Sequence, residues 1–173
     1  MIRTAVVILN WNGLSWLKRF LADVIRLSTD DETKVFVADN GSADGSFEWL
    51  AKNFPETELI RFDTNLGFAG GYNAALNQIN AKYFVLLNSD VEVTENWLKP
   101  LVSFMDRNPD VASCQPKIRS LAKREFFEYA GAAGGYIDKY GYAFCRGRIF
   151  DNVEKDNGQY DDPADIFWST GAC

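Results

Sequence analysis

The sequence predicts an α/β protein, a mostly parallel sheet with helices on both faces. Three observations carry that expectation. Compact apolar runs recur through the first half of the chain, and short runs bounded by polar residues read as strands buried on both faces, as in covered parallel sheets. Amphipathic stretches lie between the runs, which gives the strand–helix alternation of this class. Three of the runs break off into polar clusters: Asn10-Trp11-Asn12-Gly13, Asp39-Asn40-Gly41-Ser42 and Asn88-Ser89-Asp90.

Taken in order, strands are expected at Ala5–Leu9, Lys34–Ala38, Glu58–Phe62, Tyr83–Leu87 and Val111–Gln115. Helices are expected over Ser15–Leu27, Ser46–Asn53, Ala69–Ile79 and Asn96–Asn108. The first helix places Trp16, Phe20, Val24 and Leu27 at spacings of three or four, one face that should enter the core. Right-handed crossovers keep successive strands parallel, so strands one, two and four end along a common edge. Ligands of open α/β sheets bind outside that edge, and three polar strand ends there read as a site. After Pro116 the stretch Ser120–Asp165 is too interrupted by glycine for a long helix and is expected to form loops and short strands.

A chain of 173 residues suits a single domain spanning 1–173. Its net charge of −6 lacks the basic patch of a nucleic-acid partner. Cys114, Cys145 and Cys173 are odd in number and widely spaced, which fits a reducing cytosol and suggests neither a disulfide framework nor a zinc site. There is no histidine, so acid–base chemistry falls to carboxylates. The first apolar run stops at Asn10, too early for a signal segment or a membrane span.

Each cluster has a bland and a chemical reading. Asp39 to Ser46 makes an ordinary turn in which Asp44 or Ser46 caps the next helix, while Asp39 stands too early to cap and suits the ring N–H of a pyrimidine. Asn65 to Asn73 is glycine-rich and opens a helix, yet it fits neither phosphate-loop spacing. Its glycines suit close packing, and Asn73, one turn in, suits a polar contact. Asn88-Ser89-Asp90 is either an Asx turn or, with Asn88 and Asp90 on one side of an extended chain, an oxygen site for Mg²⁺ or Mn²⁺.

The segments "VVILNWNG", "VFVADNGSADGS", "TNLGFAGGYNAAL" and "YFVLLNSDVEV", in this order, resemble the family 2 glycosyltransferases of GT-A fold, in particular their rhamnosyltransferase-like branch. "IFWSTGAC" resembles a later element of the same family. The resemblance implies transfer of sugar from a UDP- or dTDP-sugar to an acceptor hydroxyl on a glycan or lipid-linked glycan, in bacterial cell-surface polysaccharide synthesis. It also implies Mg²⁺ or Mn²⁺ as cofactor, and a cytoplasmic protein that associates peripherally, if at all, with the inner membrane face. Residues 1–116 would be the nucleotide-sugar-binding half and 117–173 the start of the acceptor side. Asn10 and Asn12 would line the nucleoside pocket and Asp39 would bind the base. Asn88-Ser89-Asp90 would stand for the D-x-D motif, with Asp90 as metal ligand and Asn88 as a ribose or supporting contact. Gly67 and Asn73 match positions near the donor. The family's catalytic base is expected downstream of Cys173, and Asp161 and Asp162 precede the "TGAC" element and do not match it. Two other classes compete: a noncatalytic nucleotide-sugar-binding or interaction domain, and a nicotinamide-binding oxidoreductase. The second lacks a dinucleotide fingerprint after the first strand.

Overall fold

Four of the apolar runs become strands of one parallel sheet in the computed structural model, which describes residues 2–173. They are β1 (Ile2–Asn10), β2 (Thr33–Asn40), β3 (Glu58–Phe62) and β4 (Ala81–Asn88), in the order β3-β2-β1-β4. The helices α1 (Leu14–Ser28), α2 (Ser46–Asn53) and α3 (Gly67–Leu76) connect them. Ala5, Val7, Phe36 and Ala38 pack with Tyr72 and Ala75 of α3 and with Ile79. Side chains alternate across a strand, so Val6, Ile8, Val35 and Val37, all buried, serve the opposite face. There α1 supplies Leu17, Phe20, Leu21 and Val24. The central strands read as unbroken apolar runs because both faces are covered.

Four details depart from the sequence reading. Trp16 is exposed: the buried stripe of α1 runs through Leu17, Phe20, Leu21, Val24 and Ser28, and Trp16 lies one residue off it, stacked on Phe20 at 6.2 Å. Helix α3 starts before Ala69 and stops at Leu76, after which single turns run from Ala75 to Gln78 and from Leu76 to Ile79. A fourth helix, α4, begins at Leu98 and not at Asn96, whose φ of +57° is incompatible with a right-handed helix. Val111–Gln115 forms no strand. Ala112 and Ser113 are exposed, giving that segment no apolar face, and Gln115 is drawn away by side-chain bonds to Gly131 O and from Thr170 N–H.

The described residues divide into two compact units, residues 2–98 with Ala172, and residues 99–171 with Cys173. Helix α4 (Leu98–Arg107) begins at the last residue of the first unit, and the second unit continues into an antiparallel meander of β5 (Gly135–Ile137), β6 (Ala143–Cys145), β7 (Arg148–Ile149) and β8 (Asn152–Val153). Phe127, Ala132, Ala133 and Cys145 form its core, flanked by Val153, Tyr160 and Trp168. Gly135 is required there, because a Cβ would stand 2.0 Å from the Trp168 ring. The Lys117 ammonium bonds both Asp156 oxygens at 2.9 Å and also pairs with Asp161. Among the described residues no helix is long and apolar enough to cross a membrane.

Candidate functional site

Sheet register decides which polar residues meet. Asn10 pairs with Asp39 across β1 and β2, and Leu9 pairs with Asn88 across β1 and β4. Three strand ends therefore stand side by side. Asn10 is 0% exposed and Asp39 1%, a placement that requires internal partners. Asn10 Nδ2 donates to Asp39 Oδ2 at 3.0 Å and to Ser42 Oγ at 3.2 Å, while Asp39 Oδ1 accepts the Ser42 N–H at 3.0 Å. With its Nδ2 turned to Asp39 and Ser42, the Asn10 amide leaves Oδ1 buried without a donor. That oxygen lies against Gly13, where a Cβ would come within 2.5 Å of it and 3.2 Å of Ser89 Oγ. Position 13 has no room for a side chain, and Ser89 of the β4 end closes on the turn after β1.

Asn12 joins the same network from a left-handed conformation, φ +51°, that asparagine tolerates better than most residues. Its N–H donates to Ser42 Oγ at 2.9 Å and its Oδ1 accepts the Ala43 N–H at 2.8 Å. Asp44 serves two helix N-termini, accepting the N–H of Leu14 at 2.9 Å and of Ser46 at 3.0 Å, together with the Ser46 hydroxyl. Burial pushes the Asp44 carboxyl up, but the Ser46 hydroxyl and the Leu14 and Ser46 N–H groups outweigh it and hold the group below the usual value.

Asn40, which the sequence reading left without a role, is the latch of the neighbouring loop. Buried at the end of β2, it donates from Nδ2 to Asn65 Oδ1 at 3.0 Å and to Gly67 O at 3.1 Å, and accepts the Leu66 N–H at 2.9 Å. Gly67 opens α3 with φ +73°. Asn73, further along α3, is exposed, and among the described residues its side chain joins none of these bonds. The structure brings Asn10, Asn12 and Asp39 into one bonded group and sets Asn88 beside it.

At the end of β4 the chain does not stay extended through Asp90. Asn88 is the last paired residue, and Ser89-Asp90 turn back with the Val91 N–H on Asn88 O at 3.4 Å. Asp90 is exposed, and among the described residues its carboxylate has no hydrogen bond or ion pair. Trp11, between Asn10 and Asn12, is 58% exposed. The sequence feature that points to it is a tryptophan set between two asparagines at a strand end. Elsewhere, burial raises the Cys114 thiol, and burial and the neighbouring Cys114 push Cys173 to about 12, so neither offers a thiolate near neutral pH. Asp161 is engaged by Lys117.

Residues 5–159 match the family described as Glycosyl transferase family 2. The chain belongs to that family. Among curated members, it is 26% identical over 125 residues to the N-acetylglucosaminyl-diphospho-decaprenol L-rhamnosyltransferase of Mycobacterium tuberculosis, covering 66% of this chain and 40% of that protein. Among solved structures of similar fold are S. aureus TarS 1–349, with TM-score 0.59, 21% identity and coverage of 75% and 41% of the two chains. Another is the mannosyltransferase PcManGT from Pyrobaculum calidifontis in complex with GDP-Man and Mn²⁺, with TM-score 0.57, 23% identity and coverage of 66% and 36%. These place this glycosyltransferase chain in the GT-A fold. It spans about 40% of the length of the rhamnosyltransferase it matches.

Proposed function

We propose that the first unit binds a UDP- or dTDP-sugar at the edge where β1, β2 and β4 end, and that the protein passes the sugar to a hydroxyl of a glycan or lipid-linked glycan in bacterial cell-surface polysaccharide synthesis. One observation carries the reading: register sets the bonded Asn10–Asp39–Ser42 group beside a strand end whose Asp90 carboxylate is free among the described residues. Family membership, the rhamnosyltransferase relative and a TarS structure in complex with UDP-GlcNAc support it. A carboxylate has about four lone-pair positions, so Asp39 keeps acceptor capacity for a pyrimidine N–H beyond its bonds to Asn10 and Ser42. Trp11 offers its exposed face for stacking on the base. Asn10 and Asn12 shape the nucleoside pocket, and Gly67 and Asn73 lie on the donor side.

Mg²⁺ and Mn²⁺ take one or two protein carboxylates and complete their shell with water and phosphate oxygens, which fits a single exposed Asp90 with Asn88 two residues away. Bound there, the ion would supply charge neutralisation for a leaving diphosphate. The protein's own part is to orient the nucleoside and hold the β1 and β4 turns together. Calorimetry with UDP, with and without Mn²⁺, tests this directly. Binding should strengthen with Mn²⁺ in the parent, and Asp90→Asn should lose that gain while keeping its fold. Equal affinity of the two proteins across a metal titration would overturn the assignment of Asp90.

A further inference from the structure

The meander of the second unit carries two hairpin tips at one end. β5 and β6 are joined by residues 138–142, β7 and β8 by residues 150–151, and the intervening turn at 146–147 lies at the other end. An antiparallel meander puts its first and third turns on the same side. At that side Tyr140 is 75% exposed, Tyr142 66% and Phe150 73%, with Ile137 and Ile149 also exposed. Single exposed apolar residues are ordinary, but three rings and two isoleucines at one end of a small sheet mark an interaction surface.

The tips are built to hold the backbone that carries those rings. Asp138 Oδ1 accepts the N–H groups of Tyr140 at 2.8 Å and Tyr142 at 2.9 Å. The Asp138 N–H donates to Tyr142 O at 2.9 Å, and the Gly141 N–H to Asp138 O at 3.1 Å. Phe150 occupies φ +52°, an unfavourable region for a bulky residue, and its carbonyl accepts from Arg148 Nη1 at 3.2 Å. Backbone order of this kind lowers the entropy lost on binding, and an aromatic side chain has few torsions left to freeze.

We propose that the two tips form a docking surface for the acceptor glycan, with Tyr140, Tyr142 and Phe150 stacking on pyranose rings. The choice of a glycan rests on the glycosyltransferase reading above. Aromatic faces carry the negative part of the ring quadrupole and attract the C–H groups on the face of a sugar. Asp138 Oδ2, which bonds nothing among the described residues, and Asp151 stand ready for sugar hydroxyls. Charge separates this partner from a bilayer. The tips hold Asp138 and Asp151 beside Lys139, whose ammonium lies over the Tyr140 ring at 4.9 Å, and Arg148 is tied to the Phe150 carbonyl. On a chain of net charge −6 this is no basic cluster, whereas anionic membranes recruit clusters of Lys and Arg.

The test uses the 173-residue chain and its Tyr140→Ala/Tyr142→Ala/Phe150→Ala variant on arrayed neutral cello-, chito- and malto-oligosaccharides, with UDP affinity measured in parallel. The parent should bind at least one series and the variant at least tenfold more weakly, the order expected for three lost aromatic contacts. UDP affinity should not change. Absence of glycan binding by the parent, or equal binding by the variant, would overturn the proposal. So would tip-dependent sedimentation with phosphatidylcholine–phosphatidylglycerol vesicles, or tip-dependent dimerisation, in place of glycan binding. Glycan binding without UDP binding would sink the donor-site reading and leave the tips standing. UDP binding without glycan binding would sink the tips alone.

Discussion

In residues 2–98 the polar groups of interest stand at the ends of strands five to nine residues long, whereas residues 99–171 rely on strands of two or three residues held by side chains. The first arrangement places these polar groups by register: once β1, β2 and β4 pair, Asn10, Asp39 and Asn88 have no freedom to separate. The second has little ladder to depend on. Its order comes from the Phe127 cluster, the close approach of Gly135 to Trp168, the Gln115 bonds and the Lys117 clamp. A long covered strand is robust and leaves its ends available for ligands. A short-strand unit depends on a few contacts, each of which matters more.

The largest expected effect breaks that contrast from the weaker side. Phe127 is 1% exposed at the centre of the second core, and truncating a buried Phe costs about 3–5 kcal/mol. Phe127→Ala should abolish slow amide exchange in residues 99–171 while residues 2–98 keep theirs, along with UDP affinity. Loss of protection throughout the chain would show that the units do not unfold separately.

A middle-sized effect probes the first unit. Asp39→Ala leaves the Asn10 Nδ2 and the Ser42 N–H short of an acceptor in a buried place, a loss of about 1–3 kcal/mol. It should show in the denaturation midpoint and as at least a tenfold weaker UDP affinity. Wild-type affinity for UDP in a destabilised Asp39→Ala protein would reduce Asp39 to a turn residue.

The smallest effect is the pH dependence of the second unit. The Lys117 ammonium holds Asp156 below the ordinary carboxylate range. Burial lowers Lys117, but its bonds to Asp156 and Asp161 outweigh this and raise it above the ordinary ammonium value. Asp156 therefore adds stability above its unfolded value of 3.8 that is lost as pH falls through the folded value. Lys117 adds stability below 10.5 that is lost as pH rises through the folded value. With the Lys117 side chain 28% exposed, the pair is worth about 1 kcal/mol, or roughly 4–8 °C in the Tm of the second unit. Tm should be flat between these limits and fall at both ends. Asp156→Asn should make the acid side of the second unit's profile shallower, and an unchanged acid limb there would show that the clamp adds no stability.

The sequence by itself determined the α/β class, the first four strands, three connecting helices, and the three polar clusters at strand ends. These follow from local pattern, because a run buried on both faces must be apolar and must stop where its polar neighbours begin. The family was legible for the same reason, in four motifs that sit at those stops. Only the tertiary structure decided how the polar residues share their bonds. Asn40 and Ser42 look like turn residues until β2 lies beside β1 and the Asn65–Gly67 loop, and then one becomes a latch and the other a bridge between Asn10, Asn12 and Asp39. Trp16 shows the converse: its spacing fits a core stripe, and a rotation of one residue about the helix axis puts it in water. Val111–Gln115 has a strand-like pattern yet forms no strand, because a strand needs a partner edge as well as an extended pattern, and the Gln115 side chain bonds Gly131 and Thr170. Pairings over 16 and 55 positions of sequence leave no trace in local composition. They are settled by which surfaces meet when the chain closes on itself.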